Sequence, residues 1–366
     1  MNYETPLFFH VMEYADAADR DVIDMVSGNP DWQPPDALRE GLREYADLEP
    51  DRFQYPPSEG LLELREEIAT RRGVDADRIV VTNGAGEANY LAMARALERD
   101  SGDEILLTDP VYPYYPGKTT MLGGTQSYVA TDEAGQLDPD DVRAAASAET
   151  AAIVVNTPNN PTGAVYPAET MRELVAIAEE VDAVLISDEV YDHYDLSGEF
   201  ASALEIDSDH RVVTNAVSKS MAVTGVRVGY AVFPPGLVAN AKSRHMLVNV
   251  ATTRPGQYAV LKALRETGPD YYERNRQRLR DRVETFTDAL DAAGAEYTSP
   301  SGSFYVMARF DGYPGTLENV ERLIDEAGVA GMPGEAFGDS RTEWLRFALV
   351  TPCVEEAAER LARYFD

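Results

Sequence analysis

The stretch AAIVVNTPNNPTGAVYPAETMRELVAIAEEVDAVLISDEVY, residues 151–191, reads as a strand, a tight turn, a helix and a second strand in succession. Ile153–Asn156 and Val184–Ser187 are short, continuously apolar and rich in β-branched residues, the pattern of strands buried on both faces. Between them Ala168–Val181 places apolar residues at helical spacing, while Pro158, Pro161 and Gly163 break the chain just after the first strand. Two such strands separated by a covering helix predict a parallel pair.

The same alternation extends in both directions, from about residue 78 to 233. Further strands are predicted at Ile79–Thr82, Ile105–Thr108, Gln126–Val129, Val212–Thr214 and Val228–Phe233, with another helix at Glu87–Leu97. The expected fold class is α/β, with a mostly parallel seven-stranded sheet between helices in a large domain of residues 41–250. Beyond residue 250 the pattern changes. A helix at Pro269–Ala293, a strand in Gly302–Ala308, a helix at Leu317–Ala327, a strand at Trp344–Leu349 and a last helix at Val354–Tyr364 predict a smaller α+β domain, residues 1–40 with 251–366. In sheets of this kind ligands bind outside the carboxyl ends of the strands.

Composition narrows the function. Sixty-four acidic residues face 32 basic ones, a formal net charge of −32, and only four of the bases are lysines: Lys118, Lys219, Lys242 and Lys262. That sign excludes a nucleic-acid partner. The acids are spread along the chain, which predicts a solvated surface whose self-repulsion requires screening by salt, as in proteins of halophiles. A single cysteine, Cys353, and four scattered histidines predict neither a disulfide nor a metal site. No apolar run has the length of a membrane span, and Met1–Thr5 lacks the features of a secretory leader, so a cytoplasmic chain is expected.

Four motifs fall just after predicted strand ends. Thr82-Asn83-Gly84-Ala85-Gly86-Glu87 closes a strand and opens a helix, where small residues and free N–H groups suit a phosphate; Asn89 stands where a dinucleotide fingerprint has its third glycine. Asn156-Thr157-Pro158-Asn159-Asn160-Pro161-Thr162-Gly163 is a rigid turn with a candidate cis Asn-Pro bond. Ser187-Asp188-Glu189-Val190-Tyr191 puts a carboxylate at the end of an apolar strand, where it needs a charged or hydrogen-bonding partner. Ser218-Lys219-Ser220-Met221 sets one of the rare lysines in a small, apolar segment, eight residues before Arg227. Desolvation and neighbouring cations lower a lysine's pKa, which Schiff-base chemistry requires.

In order and spacing these motifs, from Ser27-Gly28-Asn29-Pro30-Asp31 to Arg346, resemble the class I/II aminotransferases of fold type I over nearly the whole chain. The resemblance implies pyridoxal 5′-phosphate held as a Schiff base on Lys219, with Asp188 paired to the pyridine nitrogen. Tyr191 and Asn160 are then bonded to the 3-oxygen; Ala85, Gly86, Ser218 and Arg227 hold the phosphate, and Tyr112 stacks on the ring. It further implies that Arg346 grips the substrate α-carboxylate with help from Gly28 and Asn160. Tyr55 would reach the phosphate of a neighbouring subunit, so a homodimer with shared sites is expected, and Pro333–Gly338 packs near the substrate. The activity implied is transfer of an amino group between an amino acid and a 2-oxo acid, with a cysteine-S-conjugate β-lyase or another Cα-carbanion enzyme as the alternative. Arg254 is a candidate for an acidic substrate side chain or, equally, a turn brace. Two departures stand out: Ala216 occupies a position where the family often has a phosphate-binding serine, which removes one hydrogen bond worth about 1 kcal/mol, and the N-terminal arm is short.

Overall fold

The computed structural model describes residues 6–99 and 101–365; the opening Met1–Thr5, read above for a leader, lies outside them. A short strand, β1 (Ile23–Asp24), precedes seven strands that form one sheet: β2 (Ile79–Thr82), β3 (Glu104–Asp109), β4 (Thr125–Ala130), β5 (Thr150–Asn156), β6 (Val184–Asp188), β7 (Arg211–Ala216) and β8 (Gly229–Val232). Their order is β2-β8-β7-β6-β5-β3-β4. The pairs β7–β6, β6–β5, β5–β3 and β3–β4 are parallel, while β8 runs antiparallel to both its neighbours. The sheet is therefore mixed and mostly parallel. The exception has a physical cause: residues 217–228, between β7 and β8, are too few for a crossover helix and turn the chain straight back.

Along the central strands successive side chains alternate between two buried faces. Val154, Ile186 and Val212 face the helices Ala85–Leu97 and Pro235–Asn249. Ile153, Val155, Leu185 and Val213 face the opposite side, where Met171, Leu174 and Ile177 of the helix Ala168–Glu180 pack. Each fully buried Val, Leu or Ile side chain stabilises the fold by about 1.5–3 kcal/mol. A further apolar cluster joins the helices Leu62–Arg72 and Arg254–Glu266 to β2 and β8 through Ile68, Val81, Tyr230 and Val260.

After the helix Pro269–Ala292 come β9 (Glu296–Tyr297), β10 (Tyr305–Arg309), β11 (Val329–Ala330), β12 (Met332–Pro333) and β13 (Leu345–Ala348). Four of these form an antiparallel sheet in the order β12-β13-β10-β9. β1 pairs in parallel with β11, and the Ala348 N–H donates to the Met25 carbonyl at 2.7 Å, so the N-terminal segment is built into this second layer. Val11, Ile23 and Met25 share its core with Phe304, Phe347 and Leu361. Among the described residues no helix is long and apolar enough to cross a membrane.

Parallel pairing brings the ends of β5, β6 and β7 to one edge: Asn156 lies opposite Asp188, and Asp188 opposite Thr214. The antiparallel β2–β8 pair adds the loop after Thr82 to the same edge. There Gly84 has φ +79°, and a Cβ on Gly229 would lie 2.6 Å from the Gly84 carbonyl carbon, so two backbones meet at a distance only glycine allows.

Candidate active site

A cavity of about 380 Å³ opens at this edge, between the large sheet and the second layer. Gly28, Ala85, Gly86, Tyr112, Asn160, Asp188, Tyr191, Ser218, Lys219, Arg227 and Arg346 all line it. Eleven positions singled out from sequence thus converge on one space.

Asp188 sits at the end of β6, where the parallel sheet buries it almost completely. Its Oδ2 accepts hydrogen bonds from Asn89 Nδ2 at 2.6 Å and Tyr115 Oη at 2.7 Å, and its Oδ1 accepts from the Val190 N–H at 3.2 Å. Asn89 is oriented in turn by Thr214, whose hydroxyl donates to Asn89 Oδ1 at 2.7 Å. Burial still pushes the Asp188 carboxyl above its ordinary range, against the pull of these bonds.

Lys219 lies in the short helix Val217–Ser220 that follows β7. Its Nζ donates to the Gly28 carbonyl at 2.6 Å, and Tyr194 Oη donates to the Lys219 carbonyl at 2.8 Å. Desolvation, then the charges of Arg346 and Arg227, lowers its pKa to about 8. A neutral, nucleophilic amine is therefore accessible close to neutral pH.

The helix Ala85–Leu97 points its N-terminus into the cavity, and its first N–H groups have no partner inside the helix. Arg227 stands beside it in a left-handed conformation, φ +57°, with its guanidinium held by the carbonyls of Asn83 and Thr224, each at 2.9 Å. A Cβ placed on Gly86 would meet nothing within 4 Å, so the cradle is open. N–H groups, an arginine and the Ser218 hydroxyl are donors suited to a phosphate. Ala216, buried at the end of β7, offers no side-chain donor there.

Arg346, on β13, is buried across the cavity. It donates to Asn160 Oδ1 at 3.2 Å and to the Val26 carbonyl, and its guanidinium lies over the rings of Tyr305 and Phe337 at 4.4 and 5.2 Å. Its Nε is a buried donor without a partner among the described residues, which fits an incoming carboxylate. Asn160 is fixed by the turn after β5: its N–H donates to Asn156 Oδ1 at 2.8 Å, and Asn156 Nδ2 donates to the Asp188 carbonyl at 2.8 Å. The Asn160–Pro161 bond is cis, as are Thr157–Pro158 and Asp109–Pro110. Tyr191 Oη lies 3.3 Å from Tyr305 Oη, and Tyr112 packs against Tyr114 and Tyr115. Within the Pro333–Gly338 turn, Phe337 underlies Arg346 and its carbonyl accepts from the Val111 N–H at 2.7 Å.

Two sequence candidates stay outside. Tyr55 is 82% exposed and does not line its own chain's cavity. Arg254 donates to the carbonyls of Asp51 and Gln54 at 2.9 and 3.0 Å, bracing the loop that leads to Tyr55. Conversely, Asn89, Tyr115, Tyr305 and Lys118 line the cavity without having been assigned to it. Asn89 could have been found as the polar residue in the apolar face of its helix, and Lys118 by the rarity of lysine.

This geometry can be set beside known proteins. Residues 20–365 match the family model of aminotransferase class I and II. The aspartate/prephenate aminotransferase of Thermus thermophilus is 34% identical over 94% of this chain and 91% of its own length, and the aspartate aminotransferase of Thermotoga maritima is 32% identical over 94% and 92%. The crystal structure of the Thermus thermophilus aspartate aminotransferase with maleate superposes with a TM-score of 0.90 at 32% identity, covering 98% of this chain and 97% of that one. Transferases in name, these relatives favour amino-group transfer over the β-lyase alternative. The chain belongs to the class I and II aminotransferases, fold type I enzymes that depend on pyridoxal phosphate and move an amino group between an amino acid and a 2-oxo acid.

Proposed function

We propose that Lys219 is the residue that bonds pyridoxal phosphate and moves the substrate proton. The observation that carries this is the position of the desolvated Lys219 amine, on which the charges of Asp188, Arg227 and Arg346 act, in the cavity that all four line. When bound, the cofactor supplies the electron sink that lets a Cα–H bond ionise. The chain's residues do the rest. Ala85, Gly86, Ser218 and Arg227 bind the phosphate. Asp188, held anionic by Asn89 and Tyr115 once a cation faces it, keeps the ring nitrogen protonated. Tyr191 and Asn160 bond the 3-oxygen, and Tyr112 covers the ring. Arg346 takes the α-carboxylate with Gly28 and Asn160 beside it, which fixes the direction of the Cα–H bond. The Lys219 amine, once free, accepts the Cα proton and returns it as an acid.

Borohydride reduction of the holoenzyme followed by peptide mass spectrometry tests this directly. The added mass belongs on the peptide containing Lys219; a cofactor adduct at another lysine, or none, refutes it.

We further propose a homodimer in which Tyr55 completes the neighbour's phosphate site. Its exposure and the brace from Arg254 support this, as do the exposed Phe53, Leu247, Val248 and Val250, apolar surface of the kind interfaces cover. A Tyr55→Phe variant is expected to bind the cofactor about fivefold more weakly, the worth of one hydrogen bond; a monomeric parent chain overturns the idea. The working environment is proposed to be a salt-rich cytoplasm. The two bodies of the chain are proposed to divide near residue 40 and after the helix Arg254–Glu266, later than the sequence boundary at 250, because that helix packs on β2 and β8.

A further inference from the structure

Four cations line the cavity around Lys219, namely Lys118, Lys219, Arg227 and Arg346, against one carboxylate, Asp188. Three of the four have roles in the proposed function. Lys118 has none.

Lys118 lies on the helix Tyr114–Leu122. Its nearest polar partner among the described residues is the Tyr114 carbonyl at 3.5 Å, and its Nζ stands 5.4 and 6.0 Å from the ring centroids of Tyr114 and Tyr115. By contrast Lys262, on the surface, holds both Glu44 and Glu266. In a chain with twice as many acids as bases, a part-buried ammonium that feels the charge of Asp188 but forms no ion pair among the described residues has room for a counter-ion from elsewhere. Burial lowers its pKa to about 8, as it does that of Lys219, so at neutral pH most of it is charged and a fraction is free amine.

Its position says where that counter-ion comes from. A second cavity, of about 760 Å³, lies between the N-terminal helix and the helix of Lys118, with Leu7, Met121, Met332 and Phe337 among its apolar walls. Phe8, Tyr112, Tyr114, Lys118 and Arg346 line both spaces, so the two adjoin and Lys118 stands between them. For a substrate whose α-carboxylate is held by Arg346, this second space, which Arg346 itself lines, is an adjoining room for the side chain.

We propose that Lys118 determines specificity: it receives the distal carboxylate of a dicarboxylic amino acid or 2-oxo acid, while the apolar space beyond it takes the side chain of a monocarboxylic one. One site then serves both an acidic and an apolar partner, as the two halves of a transamination commonly demand. The inference rests on the assignment of the α-carboxylate to Arg346.

The test is the single-turnover half-reaction of the holoenzyme with L-glutamate and with L-leucine, followed by the cofactor's absorbance. In Lys118→Met the ratio of kcat/KM for glutamate to that for leucine is expected to fall about thirtyfold, about 2 kcal/mol, and Lys118→Arg is expected to restore most of it. Lys118→Gln serves as the second variant if the methionine form does not fold. An unchanged ratio, or equal loss for both substrates, overturns the proposal. An Arg346→Gln variant that keeps full activity on both substrates would instead refute the α-carboxylate assignment, so the two failures are distinguishable.

Discussion

Replacing Asp188 by asparagine keeps the side chain's volume and removes its charge, and the surroundings of Asp188 dictate opposite effects on stability and on activity. An asparagine placed with its carbonyl oxygen at the Oδ2 position keeps the bonds from Asn89 and Tyr115 and turns its amide toward the Val190 N–H, the longest of the three contacts at 3.2 Å. The cofactor-free fold thereby loses one neutral hydrogen bond, about 1 kcal/mol. It gains relief from desolvation, because burial raises the Asp188 pKa despite three favourable bonds. An acid whose folded pKa is raised costs stability as pH rises from its unfolded value through its folded one, so above that window the charged Asp188 is a burden to the empty fold. Relative to the parent, Asp188→Asn apoprotein should therefore gain stability as pH rises through that window and lose the gain at acid pH. In the holoenzyme the variant leaves a ring cation without its partner in a dry site, a loss of about 3–5 kcal/mol, or a rate about two to four powers of ten slower. Thermal melts of the apoprotein at several pH values, together with stopped-flow half-reactions, measure both. A half-reaction within tenfold of the parent, or an apoprotein destabilised by more than about 2 kcal/mol, would show that Asp188 is a structural residue.

Gly28→Ala places a Cβ 2.2 Å from Tyr305 Oη and 3.4 Å from Lys219 Nζ. Tyr305 is buried beneath Arg346 and has little room to retreat, so a stability loss of about 1–3 kcal/mol and a raised KM for amino acids are expected in melts and steady-state assays. Lys219→Met removes a buried amine whose folded pKa, about 8, lies below its unfolded value of 10.5. A lysine depressed in this way costs stability below its folded pKa and regains it as pH rises toward the unfolded one. The variant apoprotein should exceed the parent by about 3 kcal/mol at pH 7, a margin that vanishes by pH 10.5 in pH-dependent denaturation. With a net charge of −32, the melting temperature of the parent chain should climb steadily with KCl up to molar concentration. Full stability in dilute buffer would remove the case for a salt-adapted surface.

The sheet was legible because its strands are buried on both faces: Ile153–Asn156 and Val184–Ser187 differ from β5 and β6 only at their ends, and the added residue of β6 is Asp188 itself. β1, β9, β11 and β12 were not foreseen. Each has two residues, and their pairing depends on partners hundreds of positions away or on one turn, neither of which leaves a periodic trace. The candidate site divides along the same line. Asp188, Asn160 and Lys219 stand at a strand end or just after one, where nothing in the core's periodicity accounts for them. Asn89, Tyr115 and Tyr305 sit inside regular elements whose periodicity absorbs them as ordinary core, and only the packing of those elements against one another brings them to the cavity. Lys118 is the instructive case. Its element is a helix, which hides it from a reading by strand ends, yet the composition had already marked it. When self-repulsion is met by an acidic surface, lysine is scarce in solvent, and those that remain are enriched where a cation has a task. That reasoning selected Lys219, and applied evenly it selects Lys118 as well: of the chain's four lysines, these two line the cavity. Position then separates them, since both line the cavity with Asp188 while Lys118 alone also lines the second, apolar space.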